Sequence, residues 1–221
     1  MVSTFARAAV LSLLAGAAAC GPATPRGPKP MTLPIVQLVD SVAWEDAMGE
    51  GTLRRVEVRQ GARVDTIPGV LTEEPPTLVA GPRLIGFGYE QGSITSVFEY
   101  DVRSRRLEQR PLPIDFHPYF SAPAFSPDGR HLAYVVVPGD GTGYAVARSW
   151  PDKALVWQSS TVEIPATDAR GGSHGRWLSP DVAEVSFEIG SGTDTRWYRV
   201  HGSVLQRRVI SADTVARQPG T

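Results

Sequence analysis

Gly171-Gly172-Ser173-His174-Gly175 fits G-x-S-x-G, the spacing that lifts a nucleophilic serine onto a tight strand-to-helix turn. That chemistry needs a buried strand before the serine and a helix after it, with an acid and a histidine further along the chain. The flanks supply neither, since Asp168-Ala169-Arg170 is polar and Arg176-Trp177-Leu178 begins a strand. The pentapeptide is therefore expected to be a loop, and a small hydrolase using Ser173 and His174 is the alternative function. His117, His131, His174 and His201 sit in separate segments without the H-x-H or H-x-x-x-H spacing that puts two ligands on one metal. The acidic turn Asp140-Gly141-Thr142-Gly143 and Asp194 lack the ladder of oxygen ligands of a calcium loop. No metal and no cofactor is expected. Phe116, His117, Tyr119 and Phe120 cluster between Asp115 and Ser121, and they form a candidate ligand contact in a connecting segment, with plain packing as the competing role.

Cys20 is the only cysteine, and it stands where the short apolar run Ala8 to Ala19 meets Gly21-Pro22-Ala23-Thr24-Pro25. One positive charge at Arg7, an apolar run too short to span a bilayer and small residues before the cysteine have the layout of an export signal. Ala17-Ala18-Ala19-Cys20 resembles the lipobox of bacterial lipoproteins, although alanine stands at Ala17 where leucine is commoner. The resemblance implies cleavage after residue 19, acylation of Cys20 and attachment to a lipid bilayer. By the same resemblance, Gly21 in place of aspartate after the cysteine would favour the outer over the inner membrane, as in enterobacterial lipoproteins. Residues 20–34 hold five prolines and little apolar content, a semi-extended tether that would hold the domain off the membrane.

The rest of the chain is nearly neutral: without residues 1–19 it holds 21 basic and 23 acidic residues. Arg54-Arg55, Arg103 to Arg106 and Arg207-Arg208 each lie in apolar-alternating segments, which suits the solvated faces of strands. No nucleic-acid partner is implied. With the one thiol consumed by lipid, no disulfide staples the fold, so a hydrophobic core must carry stability.

The elements that position these residues are strands. Short runs such as Leu84 to Tyr89, Val97 to Val102, His131 to Val137 and Ala183 to Ile189 alternate or are densely β-branched and aromatic, and turn clusters separate them. The connections are too short for βαβ units, so the chain is all-β and antiparallel. Ser126-Pro127-Asp128-Gly129 is a hairpin turn by local chemistry: Pro127 fixes φ, Asp128 bonds its own backbone and Gly129 takes the left-handed conformation. Arg130 stands where a sialidase Asp box would place a glycine, so the turn lends glycosidase activity no support. The string Phe125 to Tyr134 resembles the TolB-type, WD-like β-propeller repeat. Ser179-Pro180-Asp181 is a partial copy 53 positions later, and Pro82 marks a worn copy 45 positions earlier.

These units predict a β-propeller-like array of about four four-stranded antiparallel blades over residues 35–213, followed by a disordered tail, 214–221. A β-sandwich is the alternative fold. Four blades would make a small ring, an open arc or half of a homodimer, and the aggregation hazard of exposed edges favours closure or pairing. A non-catalytic binding or scaffolding module in the cell envelope follows, periplasm-facing, with an envelope protein, peptide or glycan as its partner. A degenerate propeller without activity of its own is a third possibility.

Overall fold

The structure is a computed structural model, and it describes residues 33–46, 49–79, 81–117, 122–164, 172–189 and 196–216, all within one compact unit, Thr32–Thr221. Cys20, the tether as far as residue 32, Tyr119, Phe120 and Asp194 lie outside the described residues.

Four antiparallel sheets follow one another along the chain. The first holds β1 (Ile35–Asp46), β2 (Gly49–Gln60) and β3 (Arg63–Thr72). The second runs β4 (Thr77–Val79), β5 (Arg83–Glu90), β6 (Ser93–Asp101) and β7 (Arg106–Arg110). The third runs β8 (Ala124–Phe125), β9 (His131–Val136), β10 (Thr142–Ser149) and β11 (Leu155–Gln158), with the short β12 (Val162–Glu163) added against β10. The fourth runs β13 (Ser173–Trp177), β14 (Val182–Ile189), β15 (Arg196–Ser203) and β16 (Arg208–Val215). Four sheets exclude a two-sheet sandwich. The sheets are not uniformly four-stranded, since the first has three strands and the third gains β12.

Period-two burial explains why the central strands read as unbroken apolar runs. In β9, Ala133 and Val135 join a cluster shared with the fourth sheet, while Leu132, Tyr134 and Val136 join one shared with the second. In β6 the division repeats, with Val97 turned towards the third sheet and Phe98 and Tyr100 towards the first. Three buried clusters thus cement each sheet to the next, and among the described residues none joins the first to the fourth.

The expectation of closure rests on the hazard of exposed ends. The face of the fourth sheet turned away from the third carries Arg176, Glu184, Arg199, His201 and Asp213, tied by ion pairs, beside buried Ser186 and Trp197, and β1 is kinked by a register shift at Asp40, whose φ is 48°. Ion-paired side chains on a sheet face and a bulge in an edge strand are devices that blunt edge-to-edge association.

Three details differ from the sequence reading. Val204 to Arg207 form the turn before β16 rather than the start of a strand, and β16 runs to Val215, past the expected boundary at 213. The three prolines are not equivalent positions. One backbone bond recurs in each complete sheet, Val102 N to Pro82 O, Trp150 N to Arg130 O and Val204 N to Asp181 O. It aligns Pro82 with Arg130 and Asp181, at intervals of 48 and 51.

Candidate functional site

The Ser126-Pro127-Asp128-Gly129 turn is knitted by its own side chains. Fully buried Ser126 donates its hydroxyl to Asp128 Oδ1 at 2.6 Å and accepts the N–H groups of Arg130 at 3.2 Å and His131 at 2.9 Å. Burial acts to raise the Asp128 carboxyl, but these bonds outweigh it and hold the group below the usual carboxylate range. Gly129 has φ 69° and lies against Val79 of the second sheet, so the turn also docks two blades. Ser126→Ala is expected to lower stability by about 2 kcal/mol, because the His131 N–H loses its side-chain acceptor beside a buried residue, while the Arg130 N–H keeps Asp128 Oδ1 at 3.0 Å; thermal unfolding followed by circular dichroism measures it. In the fourth sheet Ser179 accepts the Asp181 and Val182 N–H groups. Asp181 reaches across to take the Ser203 hydroxyl at 2.9 Å and the Leu205 N–H at 2.7 Å. Both motifs are structural corners.

The connecting segment with the candidate ligand residues is pinned from below. Asp115 accepts the Tyr134 hydroxyl at 2.7 Å and an Arg148 guanidinium N–H, while Arg148 Nε donates to the Tyr134 oxygen at 2.8 Å. Phe116 packs on the Tyr134 ring at 5.4 Å between centroids, which places it on the core between the second and third sheets. His117 is half-buried, and burial holds its imidazole below the usual histidine value. Phe116 and His117 are neighbours in one segment, but Phe116 is committed to packing.

Ser173 and His174 lie in β13, paired with Phe187 and Ser186 of β14. This corrects the loop expected from the sequence. They occupy the first strand of a sheet, with no strand-to-helix turn to expose the serine, because Gly172 and Gly175 serve close approaches. A Cβ on Gly175 would fall 2.3 Å from the Ala122 carbonyl oxygen. Beside it Trp177 Nε1 donates to the Ala124 carbonyl at 3.0 Å, so the first strands of the third and fourth sheets meet backbone to backbone.

Where the first strands of the second, third and fourth sheets converge lies a cavity of about 210 Å³. Pro75, Pro76, Phe87, Pro123 and Trp177 give it apolar walls, and Glu74 and Arg176 supply opposite charges. Sequence reasoning misses it, because its walls come from three sheets about 50 residues apart. It suits a side-chain-sized group bearing apolar and charged parts.

A second polar array crosses the fourth sheet. Arg176, Glu184, His201 and Ser211 occupy directly paired positions on β13, β14, β15 and β16. Arg176 Nε donates to Glu184 Oε1 at 2.7 Å, Glu184 Oε2 meets His201 Nε2 at 2.9 Å, and His201 Nδ1 meets Ser211 Oγ at 2.9 Å. Burial acts to raise Glu184, yet the bonds from Arg176 and His201 prevail and hold its carboxyl below the ordinary value. Serine, histidine and carboxylate in line have the order of a nucleophile relay. Here the carboxylate is already neutralised by a guanidinium and the serine sits on a strand, so the row ties four strands together. No group of three or more metal-ligating side chains occurs among the described residues.

No protein-family model and no curated protein matches this chain. Among solved structures it is similar to the acylaminoacyl peptidase of Pyrococcus horikoshii, at 10% identity and a TM-score of 0.49, over 85% of this chain and 31% of that one. It is also similar to TolB of Acinetobacter baumannii, at 14% identity and a TM-score of 0.40, over 74% of this chain and 38% of that one. A third is the β-propeller domain of the trilobed protease of Pyrococcus furiosus, described as having an open velcro topology, at 10% identity and a TM-score of 0.43, over 81% and 57% of the two chains. The chain spans less than two thirds of each of these proteins. Its own sheets, stacked in chain order through three shared cores, make it an all-β, β-propeller-like array of antiparallel blades.

Proposed function

We propose that this chain is a lipid-anchored cell-envelope protein whose propeller-like domain serves as a non-catalytic binding or scaffolding module. The observation that carries the anchor is the place of Cys20, directly after Ala17-Ala18-Ala19 at the end of a short apolar segment and before a proline-rich tether. Several acyl chains on one cysteine hold a protein on a bilayer where a single chain gives only marginal binding. The cavity between the second, third and fourth sheets is the recognition site this reading favours, with an envelope protein, peptide or glycan as the partner class.

Metabolic labelling with an alkyne-tagged fatty acid is expected to mark the wild-type chain in membrane fractions and to leave Cys20→Ser unmarked. Label retained in the variant, or absent from the wild type, would overturn the anchor. A fluorophosphonate probe that modified Ser173 or Ser211 would move the reading to a hydrolase.

A further inference from the structure

Charge in this domain is segregated between its two ends, although the chain as a whole is nearly neutral. In every complete sheet the turns joining first to second and third to fourth strands share one end, as the recurring bond from Val102, Trp150 and Val204 to the opposite turn requires. Contacts between sheets align those ends across the row. Arg105 pairs with Asp65 at the start of β3, Gly129 lies on Val79, and Arg207 Nη2 donates to the Leu155 carbonyl. This end carries exposed Arg103, Arg105, Arg106, Arg130, Arg207 and Arg208. Its acids are fewer: Asp65 pairs with Arg63 and Arg105, Asp101 and Asp128 accept turn N–H groups, Asp181 holds Ser203 and Leu205, and Asp152 is exposed in the turn before β11. The opposite end bears Glu45, Glu50, Glu74, Glu90, Asp140 and Glu188, against Arg110 and Arg196.

Two further observations belong to the basic end. Most of the large exposed apolar side chains lie there: Leu155, Leu178 and Leu205 on the third and fourth sheets, and Leu33, Ile35 and Val64 on the first. The tether also enters there, because Ile35 pairs with Arg59, beside the hairpin turn at Gly61 and Ala62. Basic residues interleaved with exposed leucines suit the headgroup region of an anionic bilayer, where arginines meet lipid phosphates and apolar side chains reach the acyl boundary.

We infer that the rim formed by these turns is a docking surface for anionic phospholipid, so that the domain sits on the bilayer with its acidic end turned away. The orientation rests on the anchored reading, whereas the affinity of the rim for anionic lipid does not. The tether, which would span about 46 Å as a polyproline-type chain at about 3.1 Å per residue, allows contact as readily as separation.

The test uses the chain from Gly21 onward, which lacks the acylated cysteine and keeps every described residue. It is expected to sediment with phosphatidylcholine vesicles containing 30% phosphatidylglycerol, to stay in solution with pure phosphatidylcholine, and to be released by 0.5 M NaCl. These are chosen conditions, set against a Debye length of about 8 Å at physiological salt. Arg106→Ser/Arg130→Ser/Arg207→Ser/Arg208→Ser should weaken binding by at least twentyfold, at about fivefold for each arginine that reaches the headgroups. Arg207→Ser/Arg208→Ser should weaken it more than Arg54→Ser/Arg55→Ser, which removes the same charge from the flank of β2. Equal binding to neutral and anionic vesicles, no binding to either, or equal loss in the two double variants would overturn the inference. None of these outcomes bears on fatty-acid labelling of the full chain, so failure of the rim and failure of the anchor are separable.

Discussion

Gly202→Val is expected to lower the stability of this protein by about 3 kcal/mol, towards the upper end of what overpacking a core costs. Gly202 sits in β15 opposite Ala183, and a Cβ there would lie 2.2 Å from Cε2 of Trp157 and 2.5 Å from Cδ2. The obstacle is a rigid indole, itself only 3% exposed, in β11 of the neighbouring sheet, clamped within the cluster formed by Ala147, Val185 and Val200. It has no flexible end to swing aside. Trp157→Ala alone should cost about 3–5 kcal/mol through the cavity it leaves. The two together should cost less than their sum by more than about 1 kcal/mol, because the valine methyls enter the space the indole vacates. Urea denaturation followed by far-ultraviolet circular dichroism measures all three; Gly202→Ala serves if the valine variant does not fold. Strict additivity, or a neutral Gly202→Ala, would show that the third and fourth sheets do not meet through this pair.

That contact marks the boundary of what a single sequence discloses. The Ser126 to Gly129 corner was legible because its chemistry is local: proline, aspartate and a left-handed glycine act within five residues. Strands were legible wherever period-two alternation or continuous apolarity ran for six residues, as in β9 and β14. Ser173 reads as a loop residue because Gly171, Gly172 and Gly175 signal turns, whereas Gly175 is small so that β13 can approach the Ala122 carbonyl. Spacing counted between prolines misaligns the repeats, since corners of unequal length shift the proline while the strand start stays put. The bond to Pro82, Arg130 and Asp181 recovers the register. Arg176, Glu184 and His201 belong to three strands, and only sheet pairing makes them neighbours. The segregation of charge was hidden for a similar reason: arginines in alternate turns are scattered along the chain and gathered by topology.

Asp115→Asn is expected to cost about 2 kcal/mol at neutral pH and progressively less in acid. Asp115, Tyr134 and Arg148 form a closed set, in which the carboxylate takes the phenol on one oxygen and the guanidinium on the other. Arg148 also donates to the Lys153 carbonyl at 3.0 Å, so the set links the segment before β8 to β9, β10 and the turn before β11. Removing one partner of a fully buried pair costs about 3–5 kcal/mol. The lower figure applies here because the two side chains keep 20% and 23% of their exposure. Burial alone would raise the Asp115 carboxyl, but the bonds from Tyr134 and Arg148 overcome it and hold the group below its ordinary value. A carboxyl depressed on folding contributes stability that is fully present above its unfolded value, about 3.9, and is lost as pH falls through the folded value. The gap between wild type and Asp115→Asn in chemical denaturation should therefore hold from about pH 7 to 5 and close only as pH falls below about 4 through the folded value. Burial and the neighbouring Asp115 also push the Tyr134 phenol well above the usual tyrosine range, so the phenol remains a donor throughout that window. A gap between the two proteins that stays constant with pH would assign Asp115 to shape rather than charge, and the segment carrying Phe116 and His117 would then owe its place to the packing of Phe116 on Tyr134.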